Sequence, residues 1–140
     1  VLRAAALVLG AVMLAATAAC TTEDSAKPDR NAVLETLPAD PDEARSKKTA
    51  QEFRDWVAEH GDAQEKSAVR RVVRVLGEGD EPTGDAYVST DINGGKTQVK
   101  DPLAAAQAVA RAFADWKAAE QGRVSVYDVF GNAVVTGHEF

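Results

Sequence analysis

Two windows of this chain, DPDEARSKKTAQEFRDWVAEHG at residues 40–61 and DPLAAAQAVARAFADWKAAEQG at 101–122, share one plan. Each is 22 residues long, opens on Asp-Pro, carries Phe-x-Asp-Trp and closes on Gly. Asp is a good helix N-cap, and Pro suits the first helical position, where its missing N–H costs nothing. A terminal Gly suits the left-handed residue that stops a helix. Thr49, Ala50, Phe53, Trp56, Val57 and His60 recur at helical spacing, as do Ala106, Val109, Ala110, Phe113 and Trp116. The windows therefore predict two matched helices, each laying an aromatic stripe on a sheet. The Ala-rich turns of the second favour helix and allow close approach to a neighbour.

β-type sequence follows each helix. After Gly122, VSVYDV alternates, Gly131-Asn132 supplies a tight turn, and AVVTGHEF returns as a hairpin. After Gly61, Asp62-Ala63-Gln64-Glu65 is a capping box in acidic form, which predicts a short helix of two turns. Residues 69–76 fit either a helical stripe or a strand. Their β-branched content favours a strand from about Arg71, with AYVSTDI as its successor. The expected fold is α+β: two α-β-β units form a two-layer sandwich, with a four-stranded, mostly antiparallel sheet and both long helices on one face.

Residues 1–19 are of another kind. Arg3 is the one charge before an uncharged run, Ala4–Ala19, rich in Leu, Val and Ala. That run has no polar face for a water-exposed helix and is shorter than the ~20 residues of a membrane span. A positive start, an apolar stretch and small residues at its end read as an export signal.

The four residues Thr17-Ala18-Ala19-Cys20 close that signal on the chain's single cysteine. They resemble the lipobox of bacterial lipoprotein precursors, although Thr17 stands where the lipobox usually has an aliphatic residue. The resemblance implies that Cys20 is the lipid-attachment residue, acylated through its sulfur and becoming the first mature residue. Ala-, Arg- and Asp-rich usage makes the likeness one to actinobacterial-type precursors. The Phe-x-Asp-Trp helix leading into VSVYD resembles, loosely, small envelope lipoproteins of that group. No active-site residue carries over from either resemblance. Ordinary cleavage after Ala18 or Ala19 is the alternative, since Ala16-Thr17-Ala18 also fits the small-x-small pattern; the product would be secreted.

The expected domain plan is a signal peptide over 1–19, a tether over 20–39 and a single domain over 40–140. Residues 21–39 combine prolines, mixed charge and few apolar anchors, and as a flexible coil would reach about 25 Å. The Val33-Leu34 to Leu37 stretch is free either to trail or to dock. Without Arg3, 15 basic residues stand against 22 acidic ones, a formal −7. That balance argues against nucleic acid as a partner and leaves attachment to the membrane to the acyl chains, of which two suffice at ~0.8 kcal/mol per buried CH₂. One cysteine allows no intrachain disulfide, so the core alone must hold the domain.

Signals for chemistry are thin. Asn93-Gly94-Gly95-Lys96-Thr97 ends like a phosphate-binding loop but has Thr90 where the first glycine belongs. Asp91-Ile92-Asn93-Gly94 lacks the later ligands of a calcium loop. His60 and His138 stand in no Cys/His cluster. No cofactor and no metal site is expected, and no residue is assigned a catalytic role. The remaining feature is a basic cluster, Lys66, Arg70, Arg71 and Arg74, in an acidic chain. Arg70, Arg71 and Arg74 are the candidate contact to an anion or partner such as a cell-wall polymer or envelope protein; the plainer reading pairs them with nearby acids such as Glu65 and Glu78. The expected function is a non-catalytic binding or scaffolding module at the outer face of the cytoplasmic membrane. The alternative is a small envelope hydrolase using the loop carboxylates Asp80, Glu81, Asp85 and Asp91.

Overall fold

The computed structural model describes residues 35–77, 84–94, 98–118 and 121–140. All lie in one compact unit, Asn31–Phe140. Residues 1–34, with the signal segment, Cys20 and most of the expected tether, fall outside the described residues, as do Glu78, Asp80, Glu81 and Gly95–Thr97.

The elements are α1 (Glu43–His60), α2 (Ala63–Val69), β1 (Val72–Leu76), β2 (Asp85–Thr90), α3 (Pro102–Trp116), β3 (Arg123–Tyr127) and β4 (Ala133–Glu139). They realise the α+β fold as two α-β-β units, with α2 inserted in the first. The strand order is β1-β2-β3-β4. The outer pairings are antiparallel and the central one, β2 with β3, is parallel. A parallel neighbour needs a crossover, which α3 provides.

The two Asp-Pro openings diverge. In α3, Asp101 caps the helix by accepting from Ala104 N, and Pro102 is the first helical residue, as expected. In α1 the cap is Asp42, which accepts from Arg45 N. Asp40 instead accepts from Asp42 N at 3.0 Å and Ser46 Oγ at 2.9 Å, and pairs with Arg74 Nη1 at 3.1 Å. The closing glycines also differ from expectation. Gly61 is extended (φ −77°, ψ 160°), and a Cβ there would meet Val57 Cγ1 at 2.6 Å, so close approach requires it. Gly122 lies beyond the end of α3 and exchanges backbone hydrogen bonds with Phe140.

Alternation along the strands separates two faces. Val72, Val75, Ala86, Val88, Val124 and Val126 point toward the helices and join Phe53, Val57, Val109 and Phe113 in the core. Arg74, Leu76, Tyr87, Ser89, Ser125 and Tyr127 belong to the other face by register. Topology shows that the repeated sequence does not make a repeated shape. Carrying β1-β2 onto β3-β4 within this sheet reverses strand direction while preserving strand order. A proper rotation doing both also exchanges the faces, which would put α1 and α3 on opposite sides. Phe53 of α1 and Phe113 of α3 instead meet on one side, 5.3 Å apart.

The second face bears no helix, yet Tyr127 is fully buried and Ser89 nearly so. Residues 35–40 are fixed at both edges of this face. Glu35 O accepts from Ala133 N, Thr36 bridges Asn132, and Leu37 N donates to Gly131 O; three residues later Asp40 reaches Arg74. The register row beneath that path is Ala133, Tyr127, Ser89, Arg74. The stretch left free to trail or dock is, from Glu35 onward, a strap across this row. The β3–β4 connection is also longer than a two-residue turn. It spans Asp128–Asn132, with Asp128 Oδ1 accepting from Phe130 N and Asn132 N and Gly131 at φ +78°.

Candidate functional site

Capping sets the position of the basic cluster. Asp62 accepts from Glu65 N, and the Glu65 side chain accepts from Asp62 N. This capping box starts α2 at Ala63; the helix runs seven residues to Val69, and Arg70 and Arg71 turn the chain into β1. Arg70 is exposed. Arg71 is largely covered and its Nη1 lies 3.3 Å from Asp91 Oδ2, while Asp91 N donates to Arg71 O. Arg74 belongs to the opposite sheet face and is held by Asp40. The structure thus brings Arg70 and Arg71 together and separates Arg74 from them. The acids that engage the cluster are Asp91 and Asp40; Glu65 is occupied in its cap.

Arg70 and Arg71 lie on the rim of a groove of about 650 Å³ between α2 and the segment that enters α3. Gln64, Ser67, Gln98 and Lys100 supply further polar groups, and Ala68, Val99, Ala104 and Ala105 an apolar wall. Lys100 is exposed. Neither it nor Arg70 has an acidic partner among the described residues. Asp101 is the one acid on the wall, and its Oδ1 is committed to capping α3. The groove therefore offers two unneutralised cations, amide and hydroxyl groups, and a small apolar wall. That combination suits an extended anionic group better than a buried small molecule. Lys100 was not singled out by sequence. It is 30 residues from Arg70, and only the docking of α3 on α2 joins them.

The described loop carboxylates do not converge. Asp85 opens β2 and Asp91 follows its last residue, so about 20 Å of strand separates them at ~3.3 Å per residue. Two carboxylates that act on one glycosidic bond stand within about 10 Å. Each is also neutralised, Asp85 by Arg123 Nη2 at 3.2 Å and Asp91 by Arg71. Asn93, at φ 68°, turns its amide to Asp128 Oδ2 at 3.1 Å. His60 stacks on Trp56 at 4.6 Å, and His138 faces Val124 from β4. Among the described residues no group of three or more His, Cys, Asp or Glu side chains is placed to hold a metal ion, and no helix is long and apolar enough to cross a membrane.

Two tyrosines on the strapped face are perturbed. Burial pushes the Tyr127 hydroxyl up to about 12, against a smaller opposing effect of its hydrogen bond with Ser125. Tyr87, 6.3 Å away between ring centroids, is also raised, by burial and by the Asp85 charge. Neither borders the groove.

Comparison with known proteins finds no matching family model, no matching curated protein and no matching solved structure.

Proposed function

We propose that this chain is a lipid-anchored, extracytoplasmic binding or scaffolding module of the cell envelope that presents the α2–α3 groove to an anionic partner, a phosphate-rich wall polymer or an acidic protein. The observation that carries the binding half is the pairing of Arg70 and Lys100 across one groove in a chain of net acidic charge. Two cations held on separate elements give a phosphate chain two points of contact. A tethered domain can work with weak contacts because its local concentration is high. The anchoring half rests on the Thr17-Ala18-Ala19-Cys20 motif at the end of an apolar segment.

Each half has its own test. In a lipoprotein-processing host the wild-type chain should partition into detergent and carry acyl chains at Cys20, and Cys20→Ser should do neither; an intact mass with free Ala19 or unmodified Cys20 at the N-terminus refutes anchoring. For binding, cross-linking pull-down from envelope fractions should lose its principal partner in Arg70→Ala/Lys100→Ala. Arg74→Ala is a poor probe, since it also breaks the pair with Asp40. An unchanged set of partners refutes the groove as the contact surface.

A further inference from the structure

We infer that the β3–β4 tip, Val129 and Phe130, is a membrane-contacting wedge that seats the domain on the bilayer surface; the inference rests on the lipid anchoring proposed above. Phe130 is 74% exposed and Val129 46%. Phe130 is the most exposed of the large apolar side chains described, and the two are adjacent.

The tip is built to hold the ring outward. Asp128, itself buried, accepts from the backbone N–H groups of Phe130 and Asn132 through Oδ1 and from Asn93 Nδ2 through Oδ2. Val129 N donates to Ile92 O, and Val129 packs so closely on Gly94 that a Cβ there would meet Val129 Cγ1 at 2.6 Å. With the backbone fixed on both sides, Phe130 presents its ring at low entropic cost. The Asp128 carboxylate, its oxygens taken up by three donors, adds little bare charge to the tip. Glu35, exposed beside it, restricts contact to the interfacial layer, where aromatic rings are favoured.

The strap identifies the occupant. The chain that leads back to Cys20 departs from this same turn, where Glu35 and Thr36 pair with Ala133 and Asn132. Fourteen residues separate Cys20 from Glu35, a span of at most ~50 Å. An anchored domain is held by the end at which its tether arrives, and that end carries the exposed ring. β1 begins, β2 and β3 finish, and β4 begins at this end of the sheet. Arg70, just before β1, lies at this end as well, on the α2–α3 groove.

The test uses the full lipidated chain in vesicles of phosphatidylethanolamine and phosphatidylglycerol. Acylation blocks Cys20, so Asn132→Cys introduces a single reactive thiol beside the tip and Glu139→Cys one at the far end of β4. Each carries an environment-sensitive fluorophore, and brominated acyl chains serve as quencher. The expected result is quenching at position 132, little at 139, and severalfold less at 132 once Phe130→Ser is added. Phe130 is too exposed for that change to threaten folding. Equal quenching at both positions, or quenching at 132 indifferent to Phe130→Ser, overturns the inference. So does a signal at 132 that ignores brominated lipid and follows protein density, which would assign the tip to a second copy of the chain. A mass lacking acyl chains removes the anchoring and this inference together; acyl chains present without quenching at 132 remove this inference alone.

Discussion

Phe53 of α1 and Trp116 of α3 stack with ring centroids 5.1 Å apart and planes 23° from parallel, although 63 positions separate them in the chain. Phe113 meets both rings edge-on, at 5.3 and 5.6 Å, and Phe140 meets Phe113 from the end of β4 at 5.4 Å. These rings fasten the two long helices to each other and to the last strand. Phe53 and Phe113 are fully buried and Trp116 is half-buried.

Truncating Phe53 or Phe113 to Ala should therefore destabilise the domain by about 3–5 kcal/mol, transfer and cavity terms together. A domain of this size has about 5–15 kcal/mol in all. Trp116→Ala should cost less, because part of the indole already faces solvent and Lys117 Nζ lies over it at 4.0 Å. Urea melts followed by circular dichroism measure the three directly. A Phe53→Ala midpoint equal to wild type would show that α1 is not fastened through this cluster.

Much of this was legible in the sequence, because periodic apolar spacing responds to one local requirement: a helix must bury one face. The long helices, the Asp62–Glu65 box and the strand from the early 70s all follow from neighbours within four residues. What was not legible depends on distant partners. Nothing near Asp40 says that Arg74 and Ser46 will claim its carboxylate and leave Asp42 to cap α1. Gly61 and Gly122 look like helix stops, whereas their neighbours Val57, Gly84 and Phe140 demand small residues there. The Arg70–Lys100 pairing arises only from the packing of α3 on α2. Sequence left the docking of the strap open because Glu35, Thr36 and Leu37 are held through backbone, which leaves no pattern in side chains.

The Asp40–Arg74 pair fastens that strap to β1. Asp40→Ala should cost about 2–3 kcal/mol, below the ~3–5 of a fully buried pair because 26% of the Arg74 side chain remains exposed. Arg74→Ala should cost a comparable amount by leaving a carboxylate that is only 6% exposed without its cation. The double variant should fall short of the sum by about 1–3 kcal/mol, the signature of direct coupling. Strict additivity of the two single changes in denaturant melts would show that the pair contributes no coupling.

Alkaline pH tests the strap from beneath. An unfolded tyrosine titrates near 10.0, and Tyr127 in the fold near about 12. Between these values the unfolded chain has released its proton while the folded chain retains it. Stability from this group is thus full below about pH 10 and is lost as pH rises toward 12. Tyr87, raised in the same direction, adds to the slope. Tyr127→Phe should flatten stability across this window. Asp40→Ala, by loosening the strap, should bring the Tyr127 ultraviolet titration back toward 10. A wild-type titration showing both tyrosines at their ordinary value would remove the premise of a sealed second face.

Glycines separate two costs that are usually confounded. Gly77 and Gly131 have the same left-handed φ of +78°, but a Cβ at Gly77 would strike Asp85 O at 2.5 Å, whereas at Gly131 the nearest atom is Leu37 Cβ at 3.6 Å. Gly131→Ala should therefore lose only the conformational term, about 1–2 kcal/mol. Gly77→Ala should lose that and more, because relief of the clash must move the start of β2 away from the end of β1. Gly122→Ala isolates the second cost, since its φ is ordinary and its Cβ would meet Gly84 O at 2.5 Å. The expected order of destabilisation is Gly77→Ala above Gly131→Ala, with amide exchange at Tyr87, next to the displaced pairing, accelerated in Gly77→Ala and unchanged in Gly131→Ala. Equal stability loss at positions 77 and 131, with no change in exchange on β2, would show that the close approach of Gly77 to Asp85 does not constrain the sheet.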